Sequence, residues 1–142
     1  MSVLIDGGPV APHVQAFADE IHNRFGFSHI MTYPSHEPDQ QHALDNFHTR
    51  EKMLALANWC TLDAVIDHFG IDYVIFDVYQ QSNPGEIYNR EIARYWRTMN
   101  ERGGVTQNHH DHCHVSFNKT GSATPFGEVT QAPSGLWTFI EE

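Results

Sequence analysis

The sequence predicts one α+β domain, a small central antiparallel sheet with helices packed on it. Three stretches carry that reading. Residues 12–25 and 50–69 repeat apolar side chains at helical spacing. Residues 72–79, Asp-Tyr-Val-Ile-Phe-Asp-Val-Tyr, are almost continuously β-branched and aromatic, as in a central strand. A histidine cluster, Asn108-His109-His110-Asp111-His112-Cys113-His114, runs directly into Val115-Ser116-Phe117, an alternating strand signal. A chain of 142 residues is the usual size of one domain and can bury roughly two-thirds of its unfolded surface.

Residues 1–10 form a lead-in that ends in Gly7-Gly8-Pro9. Val14, Phe17, Ala18, Ile21 and Phe25 then share one helical face. Pro12 suits a first turn and Gly26 a stop, so a helix is expected over 12–25. His13 and His22 are expected at its surface. Residues 27–34 read as a short strand or extended segment, and 35–41 as a polar turn that holds His36. Residues 42–47 alternate weakly and read as a strand carrying Asp45. One long helix is expected over 50–69. Met53, Leu56, Ala57, Cys60 and Ala64 form its stripe, Thr49 is its N-cap and Gly70 its stop. His68 falls in the last turn, where the helix dipole favours it. After the 72–79 strand, residues 80–85 form a turn and Glu86-Ile87-Tyr88-Asn89 a returning hairpin partner. Ile92, Tyr95, Trp96 and Met99 recur at helix-like spacing until Gly103-Gly104 breaks the pattern. The domain is expected to span 1–117. Residues 118–142 form an extension rich in Gly, Ser, Thr and Pro, whose Gly135–Ile140 segment could dock on the body or on a partner.

The formal net charge is −10, with two lysines, Lys52 and Lys119, and six arginines. Such a surface repels phosphate backbones and disfavours general nucleic-acid binding. Cys60 and Cys113 are far apart and form no CxxC pair, which excludes a cysteine zinc ribbon. Both fit buried thiols. No signal peptide or membrane span is evident.

On a strand, His112 and His114 project from one face, and Cys113 and Val115 from the other, towards a core. Asp111 lies at the strand's mouth, where a turn can bring it beside the histidines. Neutral imidazole with a carboxylate nearby is a usual set for a transition metal. A loop histidine followed by a strand aspartate, His36 and Asp45, offers a second source of ligands.

Taken together, His36, Asp45 and the Asp111-His112-Cys113-His114 strand resemble the zinc peptidases that cleave peptidoglycan stem peptides. These are the D-alanyl-D-alanine carboxypeptidases and L-alanyl-D-glutamate endopeptidases of hedgehog/DD-peptidase fold. Their signature is a Ser-x-His loop, an Asp on the next strand and a closing His-x-His strand. The likeness is nearest to small actinobacterial and actinophage members and rests also on Tyr73-Val74-Ile75, Trp96-Arg97-Thr98-Met99 and Arg102-Gly103. The resemblance implies Zn2+ held by His36, Asp45 and His114, with water in the fourth position. It implies Asp111 as the base, with His112 positioning or stabilising the oxyanion; in related enzymes the first histidine of His-x-His is itself the base. Arg50 and Arg102 are candidates for holding developing charge or a substrate carboxylate. His36 and Asp45 are separated by eight residues, more than is usual in the family, and the usual glycine between them is missing. His42 lies nearer Asp45 and competes as first ligand.

The activity so implied is a zinc-dependent stem-peptide hydrolase, a D,D-carboxypeptidase or an endopeptidase, serving as a phage lysin or a tail-associated wall hydrolase. Its substrate would be the peptidoglycan stem peptide, and its partners phage tail proteins, with no nucleic acid or membrane. It would reside in the host cytoplasm before release, or in the virion tail, and act at the bacterial cell wall. Two other readings stand beside it. One is a degenerate metal-binding structural or attachment module of a phage tail. The other is a metal nuclease of the endonuclease VII type, which shares an Asp-His-x-His core but needs the paired cysteines this chain lacks.

Overall fold

The computed structural model describes residues 2–32, 40–80, 85–99 and 111–126. Its three helices are α1 (Pro12–Phe25), α2 (Arg50–Trp59) and α3 (Asp63–Phe69). Its six strands are β1 (His29–Met31), β2 (Ala43–Phe47), β3 (Ile71–Phe76), β4 (Glu86–Tyr88), β5 (Arg97–Thr98) and β6 (Cys113–Phe117). They form one sheet in the order β1-β2-β6-β3-β4-β5, and every neighbouring pair is antiparallel. The chain is therefore α+β, as the sequence predicts.

The helices cover one sheet face and leave the other to the histidines. Val14, Phe17, Ala18 and Ile21 of α1 share a core with Leu56 and Ala57 of α2, Val65 and Phe69 of α3, Val74 and Phe76 of β3, and Val115 and Phe117 of β6. Phe17 is fully buried, with the Phe117 and Phe69 rings edge-on at 5.0 Å and 5.3 Å. Such aromatic packing adds to the area term that holds the helix layer down.

Three expectations are corrected. The 50–69 helix is two helices. Thr61 bonds back through its hydroxyl to the Asn58 carbonyl, and Leu62 is extended (φ −74°, ψ 133°), so the ladder stops and restarts. The restart resets the phase: Val65, Ile66 and Phe69 are buried and Ala64 is exposed. Residues 90–99 are not a helix. Asn89 starts a turn by accepting from Glu91 N–H on its side chain and from Ile92 and Ala93 N–H on its carbonyl. Arg90 and Arg94 then bind Asp63 and Asp67 of α3, and the chain extends into β5. His13 is buried rather than at the surface, because its Nε2 bonds the Asn118 carbonyl oxygen at 2.9 Å. In addition, His42 ends a single 3-10 turn, Gln40–His42, and β2 begins one residue later.

The first residues beyond β6 turn back over α3. Asn118 N–H donates to the Gly70 carbonyl and Ser122 N–H to that of His68, each at 2.7 Å. Phe126 is buried against Trp59 and Phe69. Gly70, at φ +70°, caps α3, and a Cβ there would overlap the Thr120 carbonyl oxygen. Gly70→Ala is expected to cost at least ~1 kcal/mol from the backbone conformation alone. It should also speed hydrogen exchange at Asn118 and Ser122 relative to the β6 amides. The Gly135–Ile140 segment lies outside the described residues.

Glu86 is fully buried on the helix-covered face beside Phe76, its register partner. Its Oε1 accepts from Tyr79 N–H at 3.4 Å, and its Oε2 has no partner. Burial pushes its carboxyl pKa up. The charge of Asp77 adds to this, while the Tyr79 and Val78 amides and Arg50 pull the other way. Folded protein thus holds this proton more tightly than unfolded chain, so the carboxyl costs stability as pH rises from its ordinary value of 4.5. Glu86→Gln is expected to raise Tm by a few degrees at pH 7, with the gain gone below the ordinary carboxyl value. Melting curves of both proteins across that range check it.

Candidate metal centre

The site is made by strand alternation. In β6, Cys113, Val115 and Phe117 enter the core, so His114 and Ser116 stand on the open face, with His112 just ahead of them. In β2, Leu44 enters the core and Asp45 faces the other way. Register makes Asp45 the direct neighbour of His114. The structure therefore brings together Asp45, Asp111, His112 and His114.

His114 Nδ1 lies 2.8 Å from Asp45 Oδ1, and His114 Nε2 lies 2.9 Å from Ser116 Oγ. His112 Nδ1 lies 2.9 Å from Asp111 Oδ1, and His112 Nε2 lies 3.5 Å from Asp45 Oδ1. Asp45, His112 and His114 are 5 %, 2 % and 8 % exposed, whereas the Asp111 side chain is half exposed. The Tyr73 ring stacks on His114 at 5.9 Å, and Phe47 packs on His112 at 5.4 Å, so neither imidazole is free to turn.

This donor set suits a cation. A carboxylate can only accept, so His112 gives its Nδ1–H to Asp111, and its Nε2 then faces Asp45 Oδ1. In neutral imidazole that places a lone pair against a carboxylate, an arrangement a cation between them makes favourable. For His114, the tautomer that donates Nε2–H to Ser116 leaves Nδ1 as a lone pair beside Asp45. Nitrogen and carboxylate donors of this kind match zinc. Among the described residues no group of three or more His, Cys, Asp or Glu is placed to hold a metal ion. His36, which the resemblance makes the first ligand, lies outside the described residues, as does Arg102. His42 packs its ring against His13 at 5.7 Å.

Burial, reinforced by the charge of Asp45, pushes the Cys113 thiol far above its ordinary pKa, and burial does the same to Cys60. Both stay neutral thiols, free and buried. Arg50 lies over the Phe76 ring and donates to the Asp77 and Val78 carbonyls at 2.7 and 3.1 Å, which ties the end of β3 to the start of α2.

Ser116 and Tyr73 lie in motifs read from the sequence but were given no role in the site there. Ser116 had a signal, a hydroxyl two residues after His114 on the same strand face. Tyr73 had none, since only the sheet register brings it there. Ser116→Ala is expected to weaken metal binding about 10- to 100-fold without unfolding the sheet. Competition with a chromophoric chelator measures it.

A protein-family model described as VldE, C-terminal domain, matches residues 6–110, a span that includes Asp45 and stops just before Asp111. No curated protein and no solved structure is similar enough to match. Among the described residues, no helix is long and apolar enough to cross a membrane.

Proposed function

We propose that this chain, which belongs to the VldE C-terminal-domain family, is a zinc-dependent hydrolase of peptidoglycan stem peptides with a hedgehog/DD-peptidase-like fold. The observation that carries the reading is the pairing of Asp45 with His114 Nδ1 at 2.8 Å on neighbouring central strands, with His112 and Asp111 in line behind them. An antiparallel sheet with helices on one face and this cluster on the other supports the fold reading.

Asp45 and His114 Nδ1 would hold the zinc, with His36 as third ligand by the resemblance. Zinc, when bound, acts as a Lewis acid and brings the pKa of a coordinated water to roughly 7. Asp111 is half exposed at the mouth of the site, so it can reach both water and substrate. It takes the proton of the attacking water and passes it to the leaving amine. His112 holds Asp111 by its Nδ1–H and keeps that carboxylate aimed at the cluster. The activity fits a lysin or tail-associated wall hydrolase, working on the bacterial cell wall and, in the second role, beside phage tail proteins.

The test is mass spectrometry of purified peptidoglycan fragments incubated with zinc-loaded protein. A soluble product with the mass of one stem-peptide cleavage is the expected result and names the bond. Folded, zinc-bound protein that releases no product would overturn it in favour of a structural or attachment module, and DNA cleavage would overturn it in favour of a nuclease.

A further inference from the structure

An imidazole does not aim itself. The ring torsion of histidine is broad and roughly two-fold, so whatever packs on the ring has to set its plane. For His112 the plane matters, because Nδ1 meets Asp111 Oδ1 at 2.9 Å while Nε2 stands 3.5 Å from Asp45 Oδ1. The sheet supplies the packing through a row of aromatic rings on its open face. Ile30 and Leu44 enter the core, so His29, Asp45 and Phe47 take the other side of β1 and β2. Register pairs His29 with Phe47, and β2 lies between β1 and β6. The His29 ring lies on Phe47 at 4.3 Å with 20° between the planes, and Phe47 lies on His112 at 5.4 Å with 35° between them. His112 is 2 % exposed, Phe47 is half-buried and His29 is exposed, so the row runs from solvent into the site.

We infer that Phe47 is a positioning residue for the base Asp111, acting through His112, and that His29 at the sheet edge steadies Phe47 in turn. Phe47 fixes the plane of the His112 ring, and the Asp111 carboxylate selects which edge of that ring faces it. Together they hold one orientation out of those the torsion allows. His29 does the same for Phe47, whose own ring torsion is equally broad. Without the flat face of Phe47 the imidazole turns, Nδ1–H leaves Asp111, and the carboxylate loses its aim. A small misplacement of a reacting group costs rate steeply. A leucine fills much of the same space and presents no flat face, which separates positioning from packing. The effect on turnover rests on the hydrolase reading above, whereas the effect on the His112 ring does not.

The experiment uses the full chain with Phe47→Leu, Phe47→Tyr and His29→Ala. The first readout is taken on metal-free protein and needs no substrate. Long-range proton–nitrogen spectra of the imidazoles, with His112 assigned through His112→Gln, report which ring nitrogen carries the proton. Wild type should show one His112 species, protonated on Nδ1. Phe47→Leu should show a mixture or exchange broadening, Phe47→Tyr should restore the single species, and His29→Ala should fall between. The second readout is cleavage of stem peptides by the zinc-loaded proteins. Phe47→Leu should keep stoichiometric zinc, lose about 10- to 100-fold in kcat and leave KM little changed. Phe47→Tyr should recover most of the rate, and His29→Ala should lose about 3- to 10-fold, the size of one aromatic contact. A lower Tm in Phe47→Leu with the His112 species and kcat unmoved is a packing role alone and overturns the inference. If Phe47→Leu does not fold, His29→Ala at its exposed position carries the test, and an unchanged His112 spectrum there overturns it. If wild type cleaves no peptide, the hydrolase reading fails, and the spectra still decide the positioning.

Discussion

His114→Ala protein is expected to lose tight zinc binding and all measurable turnover. His114 sits on the central strand, with one ring nitrogen 2.8 Å from Asp45 and the other 2.9 Å from Ser116. Removing it deletes a donor outright, so the loss of affinity should exceed the roughly 10- to 100-fold expected for an outer partner such as Ser116. In metal-free protein the other tautomer lets His114 Nδ1–H donate to Asp45, and the variant loses that bond. Losing a buried hydrogen bond to a charged group costs about 1.5–3 kcal/mol, so the variant should melt below the parent. His114→Gln separates the two effects, because its amide can still donate to Asp45. It should regain part of the melting temperature and none of the zinc. Metal content after dialysis, read beside circular dichroism, checks both variants. Stoichiometric zinc in either would refute the ligand assignment.

The second large effect is expected at Asp111. Its side chain is half exposed and bonds the outer nitrogen of His112. Asp111→Ala should therefore retain zinc and fold, and lose about 10²–10⁴-fold in kcat, the range for a removed general base. KM should move little, since the role falls on the transition state. A variant with full kcat would transfer the base role to His112. A variant that loses zinc as well would make Asp111 an orienting partner of the metal's own ligands.

The chemistry-bearing strand was legible because a period of two leaves little freedom once Val115 and Phe117 are assigned to the core. His114 and Ser116 must then share the other face. Asp45 was legible for the same reason, with Leu44 as its core neighbour. That Asp45 and His114 are register partners was not legible, since β2 and β6 are 67–73 residues apart along the chain at their contacts and only folding aligns them. The break of the 50–69 helix was hidden because Cys60-Thr61-Leu62 contains neither Gly nor Pro. The break rests on a threonine hydroxyl competing for the Asn58 carbonyl. The helical spacing at 92–99 misled because its apolar residues never share a buried stripe. Ile92 and Tyr95 are exposed, and long-range pairs from Arg90 and Arg94 to α3 set the path instead. His13 looked like a surface histidine because its partner, Asn118, comes from the other end of the chain.

The central placement of β6 has a thermodynamic consequence. Strand β6 is hydrogen-bonded on both sides, by β2 and β3, so Asp45 and His114 separate only when the sheet itself comes apart. A metal held there binds the native state and not the unfolded chain, and mass action then raises stability by RT ln(1 + [L]/Kd), about 2.7 kcal/mol at a hundredfold excess over Kd. The heat resistance of this protein should therefore follow the free zinc concentration of its surroundings, and a chelator should lower the melting temperature even where it leaves the structure at room temperature untouched.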